Sequence, residues 1–226
     1  MLRSTSKVLV LVSAISMCAV SAFANSGELL DFQELGNLQA VGNFYNGGSG
    51  LSITPNYGVT FSSNFYGLRA ALNGGAGNFA SPPLNMPAIF MNGATGSPVM
   101  GTMNVTPGFS TGLNFYFTAG FTGGQTETVT IWSGMNGTGT VLAIINLANN
   151  NGSCSAPAYC SWSNIGASFT GTAHSVTFSG PANELGIADI TIGASSTAIP
   201  EPSPIYLFGT GVILISLSKI RRMFGA

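Results

Sequence analysis

The residues able to do chemistry are few. His174 is the only histidine, within Thr172-Ala173-His174-Ser175-Val176-Thr177-Phe178. A serine-hydrolase triad would have to use it, yet no Gly-x-Ser-x-Gly elbow accompanies it. The simpler reading is a histidine at a strand end, on the face of Val176 and Phe178. Two carboxylates at the right separation would make a glycosidase pair. Glu127 is the best single candidate, because it shares a strand face with Val129 and Ile131, and an acid on an apolar face has a raised pKa. The Thr-rich face of the same strand could equally be the inner one, and no spacing pairs Glu127 with a second acid. Asp31 and Asp189 belong to the first and last strands, which often neighbour each other in sandwiches. With Glu34 or Glu184 and backbone carbonyls they are weak candidates for a structural Ca²⁺; otherwise they are solvated acids at strand edges. No EF-hand or repeat-type Ca²⁺ motif is present. These residues make no catalytic constellation, so no enzyme activity and no cofactor are expected.

Cys154 and Cys160 lie in a loop-rich stretch. In an oxidising compartment two nearby cysteines pair, and closing so short a loop contributes about 2–2.5 kcal/mol in the chain-entropy account. A redox or metal pair is the competing reading. It suffers from five intervening residues in place of two, and from the lack of a second ligand pair. Trp132, Trp162, Tyr45, Tyr57, Tyr66 and Tyr116 could include a sugar-stacking platform, although packing is the commoner use of such rings.

The elements that must position these groups are strands. Alternation with period two recurs and is bounded by Gly, Asn and Pro. Tyr57, Val59 and Phe61 form one set, and Val99, Gly101, Met103 and Val105 another. Leu113, Phe115 and Phe117 follow, then Glu127, Val129 and Ile131, then Val141, Ala143, Ile145 and Leu147. Val176 and Phe178 come next. In the last strand Ala188, Ile190 and Ile192 are expected to share a face. Asn136-Gly137 suits the positive φ of a hairpin turn, and Asn149-Asn150-Asn151-Gly152 reads as a loop tip. The expectation is an all-β antiparallel sandwich or jelly roll over residues 25–193.

Charge is sparse: 6 Lys and Arg against 7 Asp and Glu in 226 residues, or 6% of the chain. Clustered phosphate contacts to nucleic acid are therefore excluded. From residue 25 to 198 Arg69 is the single cation against the acids Glu28, Asp31, Glu34, Glu127, Glu184 and Asp189, a net charge of −5. The other cations flank this body.

Residues 1–24 read as a secretory signal peptide. Arg3 and Lys7 form the positive region, an apolar run begins at Val8, and Ala22-Phe23-Ala24 is a small-x-small cleavage site. Cys18 does not make a lipoprotein signal, because Met17 stands where a small residue is needed. Export would use the Sec machinery. At the other end, residues 194–204 are a small, polar, Pro-rich linker containing Pro200-Glu201-Pro202. Proline forbids helix here and keeps the backbone extended. Residues 205–218 are an apolar stretch, about 21 Å long as a helix, against a bilayer core of about 30 Å. Lys219, Arg221 and Arg222 then fix the cytoplasmic side. Residues 205–226 are thus expected to be a C-terminal transmembrane helix with a basic stop.

Pro200-Glu201-Pro202, followed by an apolar helix and Arg221-Arg222, resembles the PEP-CTERM sorting signal. In that family a membrane-embedded cysteine protease, the exosortase, recognises the tripeptide and removes the tail. The family belongs to Gram-negative bacteria that make extracellular polysaccharide. The body resembles, more loosely, the sandwich domains of such exported proteins. That likeness rests on Leu30-Asp31-Phe32, the run from Val41 to Gly48, the turn at Asn136 to Gly139, and Asp189-Ile190. The resemblance implies transient anchoring in the inner membrane and then release to the cell surface or extracellular matrix. The expected role is a non-catalytic exported protein associated with exopolysaccharide. The alternatives are a carbohydrate-binding module and, less favoured, a secreted glycan hydrolase.

Overall fold

The computed structural model describes residues 27–48, 56–80, 82–83, 87–120, 127–155 and 157–193. The expected signal peptide, the Pro-rich linker, the sorting tripeptide and the apolar tail lie outside these residues. Among the described residues there is no α-helix, and no helix long and apolar enough to cross a membrane.

Among the described residues eleven strands run in chain order: β1 (Glu28–Leu30), β2 (Val59–Phe61), β3 (Phe65–Leu68), β4 (Ala88–Met91), β5 (Pro98–Phe109), β6 (Gly112–Ala119), β7 (Glu127–Trp132), β8 (Val141–Leu147), β9 (Ser163–Ser168), β10 (Ala173–Pro181) and β11 (Leu185–Ile192). They form two sheets. One has the order β3-β4-β11-β6-β9, with β1 added alongside β11; the other has the order β2-β5-β10-β7-β8. All pairings between these strands are antiparallel.

The alternation of the sequence becomes the core. Val59, Phe61, Met103, Val105, Val129, Ile131, Ile145, Leu147, Val176 and Phe178 from one sheet meet Phe65, Ile89, Met91, Leu113, Phe115, Phe117 and Ile187 from the other. Phe178 contacts both Phe65 and Phe115 edge to face, with centroids 5.6 and 6.1 Å away. Aromatic edges against faces add attraction beyond the area buried. Asn136 and Gly137 have φ of 57° and 67°, the left-handed conformation expected of the turn between β7 and β8.

Three strands escaped the sequence reading: β3, β4 and β9. Each is short and carries a weak alternating signal (Phe65-Tyr66-Gly67-Leu68, Ala88-Ile89-Phe90-Met91, Ser163-Asn164-Ile165-Gly166-Ala167-Ser168). The expected face of the last strand also needs correction. Leu185 and Ile187 enter the core, and so do Ile190 and Ile192, one residue out of phase. The register with β6 breaks between Ala188 and Thr191, where Asp189 takes φ 53°. This β-bulge shifts the pleat by one residue, so Ala188 does not share the face of Ile190.

Candidate functional site

On the outer face of the six-stranded sheet lies a groove of about 430 Å³. Its floor comes from alternation: Ile89 and Met91 point into the sandwich, which leaves Ala88 and Phe90 outward. Gly186 sits beside Ala88 on this floor; a Cβ there would meet Thr118 Cγ2 at 2.9 Å and the Trp162 ring at 3.4 Å. Small residues on the floor thus make the depression.

One wall is built by two segments that are not strands. Phe79 and Tyr159 form an isolated parallel bridge. Ala80 N donates to Tyr159 O (2.8 Å), and Tyr159 N to Asn78 O (3.3 Å). Beneath them Phe79 and Trp162 meet edge to face at 5.7 Å, and Trp162 Nε1 donates to Ala80 O (2.9 Å). With Ala70 and Ala88 these residues form a second, small apolar cluster outside the main core. Tyr159 packs on Gly120, where an added Cβ would come within 2.7 Å of its ring.

The Tyr159 loop is held at its base. Cys154 and Cys160 are joined by a disulfide, with Cα atoms 5.7 Å apart. Asn151 is buried, contrary to the expectation of a loop tip at 149–152. Its Nδ2 donates to Thr118 Oγ1 (2.8 Å) and Ala119 O (3.0 Å), while its Oδ1 accepts from Ser161 N (2.8 Å). One amide therefore ties both ends of the disulfide loop to β6.

The groove lining also includes Leu68, Asn78, Thr95, Asn183 and Glu184. Asn183, at φ 63° in the turn from β10 to β11, donates through Nδ2 to Gly93 O (2.7 Å) and Thr95 Oγ1 (3.3 Å). Glu184 is 8% exposed, and its Oε2 has no hydrogen-bond partner. The Tyr159 hydroxyl is pushed up by burial and by the Glu184 charge, so it remains a protonated donor.

Behind the groove stands Glu127, with 0% exposure and both oxygens unpartnered. Its side chain lies over Gly180, where a Cβ would meet Glu127 Cγ at 2.5 Å. Burial, and then the Glu184 charge, pushes the Glu127 carboxyl up to about 9. The strand alternation left either face of β7 free to be the inner one; the structure buries the face of Glu127, and the fold supplies a second acid that no spacing had indicated. Enclosure removes the catalytic use, because no substrate reaches an acid without solvent access.

The other candidates are dispersed. His174 is half-buried beside Gly108, at the bulge where β10 meets β5. Trp132, on β7 of the five-stranded sheet, donates through Nε1 to Thr177 Oγ1 (2.9 Å) of the neighbouring strand β10. Tyr45 is in the core; its Oη accepts from Phe32 N (2.6 Å), and Tyr57 stacks on it at 5.9 Å. Tyr66 leans on Phe90. Of the two tryptophans only Trp162 belongs to the groove, as support for the wall. Tyr159 was missed, since a single tyrosine in a Cys-bounded loop carries no periodic signal.

Asp31 and Asp189 come close enough for their charges to act on each other. Asp31 follows β1 directly, and β1 pairs with β11 through Leu30 and Ile190. Asp189 is 4% exposed, and neither of its oxygens has a hydrogen-bond partner. Burial, and then the Asp31 charge, raises its carboxyl to about 6. Glu34 and Glu184 show no link to this pair, and among the described residues no group of three or more His, Cys, Asp or Glu is arranged to hold a metal.

No family model matches the chain, and neither does any curated protein. Solved structures similar to it include CsCBM6-3 from Clostridium stercorarium in complex with cellobiose, at 12% identity and TM-score 0.33, covering 51% of this chain and 80% of that one. A second is TmCBM61 in complex with β-1,4-galactotriose, at 10% identity and TM-score 0.36, covering 61% and 87%. A third is the family 11 carbohydrate-binding module from Clostridium thermocellum with a β-1,3-1,4-mixed-linked tetrasaccharide, at 10% identity and TM-score 0.34, covering 61% and 85%. At such identities and scores these likenesses do not bear on what this chain binds.

Proposed function

We propose that this is an exported, non-catalytic protein whose sandwich binds a glycan in the groove beside Tyr159. The observation that carries the reading is the chemistry of that groove. Partly exposed rings of Phe90 and Tyr159 stand with the amides of Asn78 and Asn183, the hydroxyl of Thr95 and the carboxylate of Glu184. Sugars are bound by such sets: a flat apolar ring for the C–H face, and fixed donors and acceptors for the hydroxyls. The site is pre-formed, because a disulfide, an amide hub and an indole hydrogen bond hold its wall. Preorganisation lowers the entropy lost on binding.

Export is supported by the disulfide, which belongs to an oxidising compartment, and by the signal-like residues 1–24. Release would follow the PEP-CTERM resemblance: transient inner-membrane anchoring by residues 205–226, then exosortase cutting near Pro200, Glu201 and Pro202. The ligand most consistent with that route is the host's own exopolysaccharide.

Two experiments test this. The full-length chain is passed over immobilised host exopolysaccharide. Wild type should be retained, and Tyr159→Ala or Asn78→Ala should weaken retention at least about tenfold with an unchanged β-type circular dichroism spectrum. Folded wild type that passes unretained, or a Tyr159→Ala variant that binds equally, overturns the groove assignment. In an exosortase-bearing host, replacing Pro200, Glu201 and Pro202 with alanine should leave uncut protein in the membrane fraction. Released wild-type protein still carrying Arg221 and Arg222 by mass spectrometry overturns the sorting assignment.

A further inference from the structure

We propose that Asp31 and Asp189 together hold a Ca²⁺ ion that clamps the first strand to the last. The fold brings the two acids into each other's field: Glu28, Leu29 and Leu30 pair with Ile192, Thr191 and Ile190, which leaves Asp31 and Asp189 next along their strands. Asp189 lies at the bulge of β11 with φ 53°, a conformation costly for a residue with a Cβ. The carboxylate so placed is 96% buried, accepts no hydrogen bond at either oxygen, and has a second acid beside it. An unpaired buried carboxylate costs several kcal/mol.

Among the described residues no cation meets that charge. From residue 25 to 198 there is no lysine and one arginine, Arg69. The Arg69 guanidinium donates to Leu35 O (3.4 Å). The counter-charge must therefore come from solvent. All the donors are oxygens, which selects a hard cation over zinc or copper. Two carboxylates completed by backbone carbonyls and water suit the adaptable shell of Ca²⁺ better than the rigid octahedron of Mg²⁺. So few charged ligands place the affinity in the range of extracellular modules, about 10⁻⁴–10⁻³ M. The three-residue β1 strand is held by its pairing with β11 and by Leu30 in the core. The ion would thus fix the N-terminal edge of the body. This inference does not depend on the glycan reading.

The test uses the full-length chain purified in detergent and stripped with EGTA. Tyr45 and Tyr57 lie close enough to the acids to feel their charge, so bound Tb³⁺ should show tyrosine-sensitised emission that Ca²⁺ displaces at one equivalent per chain. Saturating Ca²⁺ should raise the melting temperature by about 5–10 °C, and Mg²⁺ should do much less. Asp189→Asn and Asp31→Asn should each weaken Ca²⁺ binding at least about tenfold. Both variants should melt no lower than stripped wild type, because each relieves a like-charge contact. If Asp189→Asn does not fold, the partly exposed Asp31→Asn and the wild-type titration decide. A folded wild type with neither Ca²⁺-dependent melting nor displaceable Tb³⁺ emission overturns the proposal. So do variants that keep the wild-type Ca²⁺ response.

Discussion

Two pairs of acids occupy this sandwich, and they solve the same problem differently. At the edge closed by β1, Asp189 is buried against Asp31. Behind the groove, Glu127 is buried with Glu184 as its charged neighbour. All four oxygens of Asp189 and Glu127 lack hydrogen-bond partners. The difference is depth. Glu127 projects inward from the first position of the interior strand β7, on the same face as Val129 and Ile131, and its carboxyl is raised to about 9. It therefore keeps its proton at neutral pH and is buried as a neutral acid. Asp189 lies at the irregularity of β11, where β1 pairs alongside, and is raised only to about 6. It is ionised at neutral pH and leaves a charge to be met. A proton neutralises Glu127, whereas the smaller rise at Asp189 leaves a charge for the proposed Ca²⁺ to meet.

The largest effect that could break this comparison is the pH dependence of stability. The folded-state pKa of Glu127, about 9, stands above its ordinary value of 4.5. Its proton is bound in the folded chain and lost in the unfolded chain between these values. The Glu127 contribution is fully present below pH 4.5 and falls by about 1.4 kcal/mol per pH unit until pH 9. Urea unfolding from pH 5 to 9 should show this fall in wild type and lose it in Glu127→Gln, with the variant more stable at pH 8. A wild-type stability that rises over this window would mean that Glu127 is charged when folded.

A smaller effect separates the groove from the edge. Replacing Cys154 and Cys160 by serine should cost about 2–2.5 kcal/mol and weaken glycan retention, because the loop carrying Tyr159 loses its tie. The Ca²⁺ response should be unaffected. Asn151→Ala should act in the same direction by about 1–3 kcal/mol, since Thr118, Ala119 and Ser161 lose a shared buried partner. Equal glycan retention by either variant would detach the loop from the site.

The smallest effect is steric. Gly120→Ala places a methyl group within 2.7 Å of the Tyr159 ring. Retention on exopolysaccharide should fall several-fold with a change in stability of about 1 kcal/mol, measured by the same column and by urea unfolding. Unchanged retention would show that the position of Tyr159 is not critical.

The sequence alone determined the β architecture, because alternation over Val99 to Val105, Leu113 to Phe117 and Glu127 to Ile131 has only one regular solution with a buried face. It also made legible the left-handed turn at Asn136-Gly137 and the shared face of Glu127, Val129 and Ile131, since both are local properties of backbone and pleat; which face turns inward was decided by packing. The groove was not legible. Its wall joins residues 78–80 to residue 159, and its floor depends on Ala88 and Gly186, whose small size matters only once their strands lie side by side. The pairing of Glu127 with Glu184 and the phase shift at Asp189 were likewise settled only by packing. Contacts between residues distant in the chain leave no periodic trace, and a bulge moves one strand's phase without altering its composition.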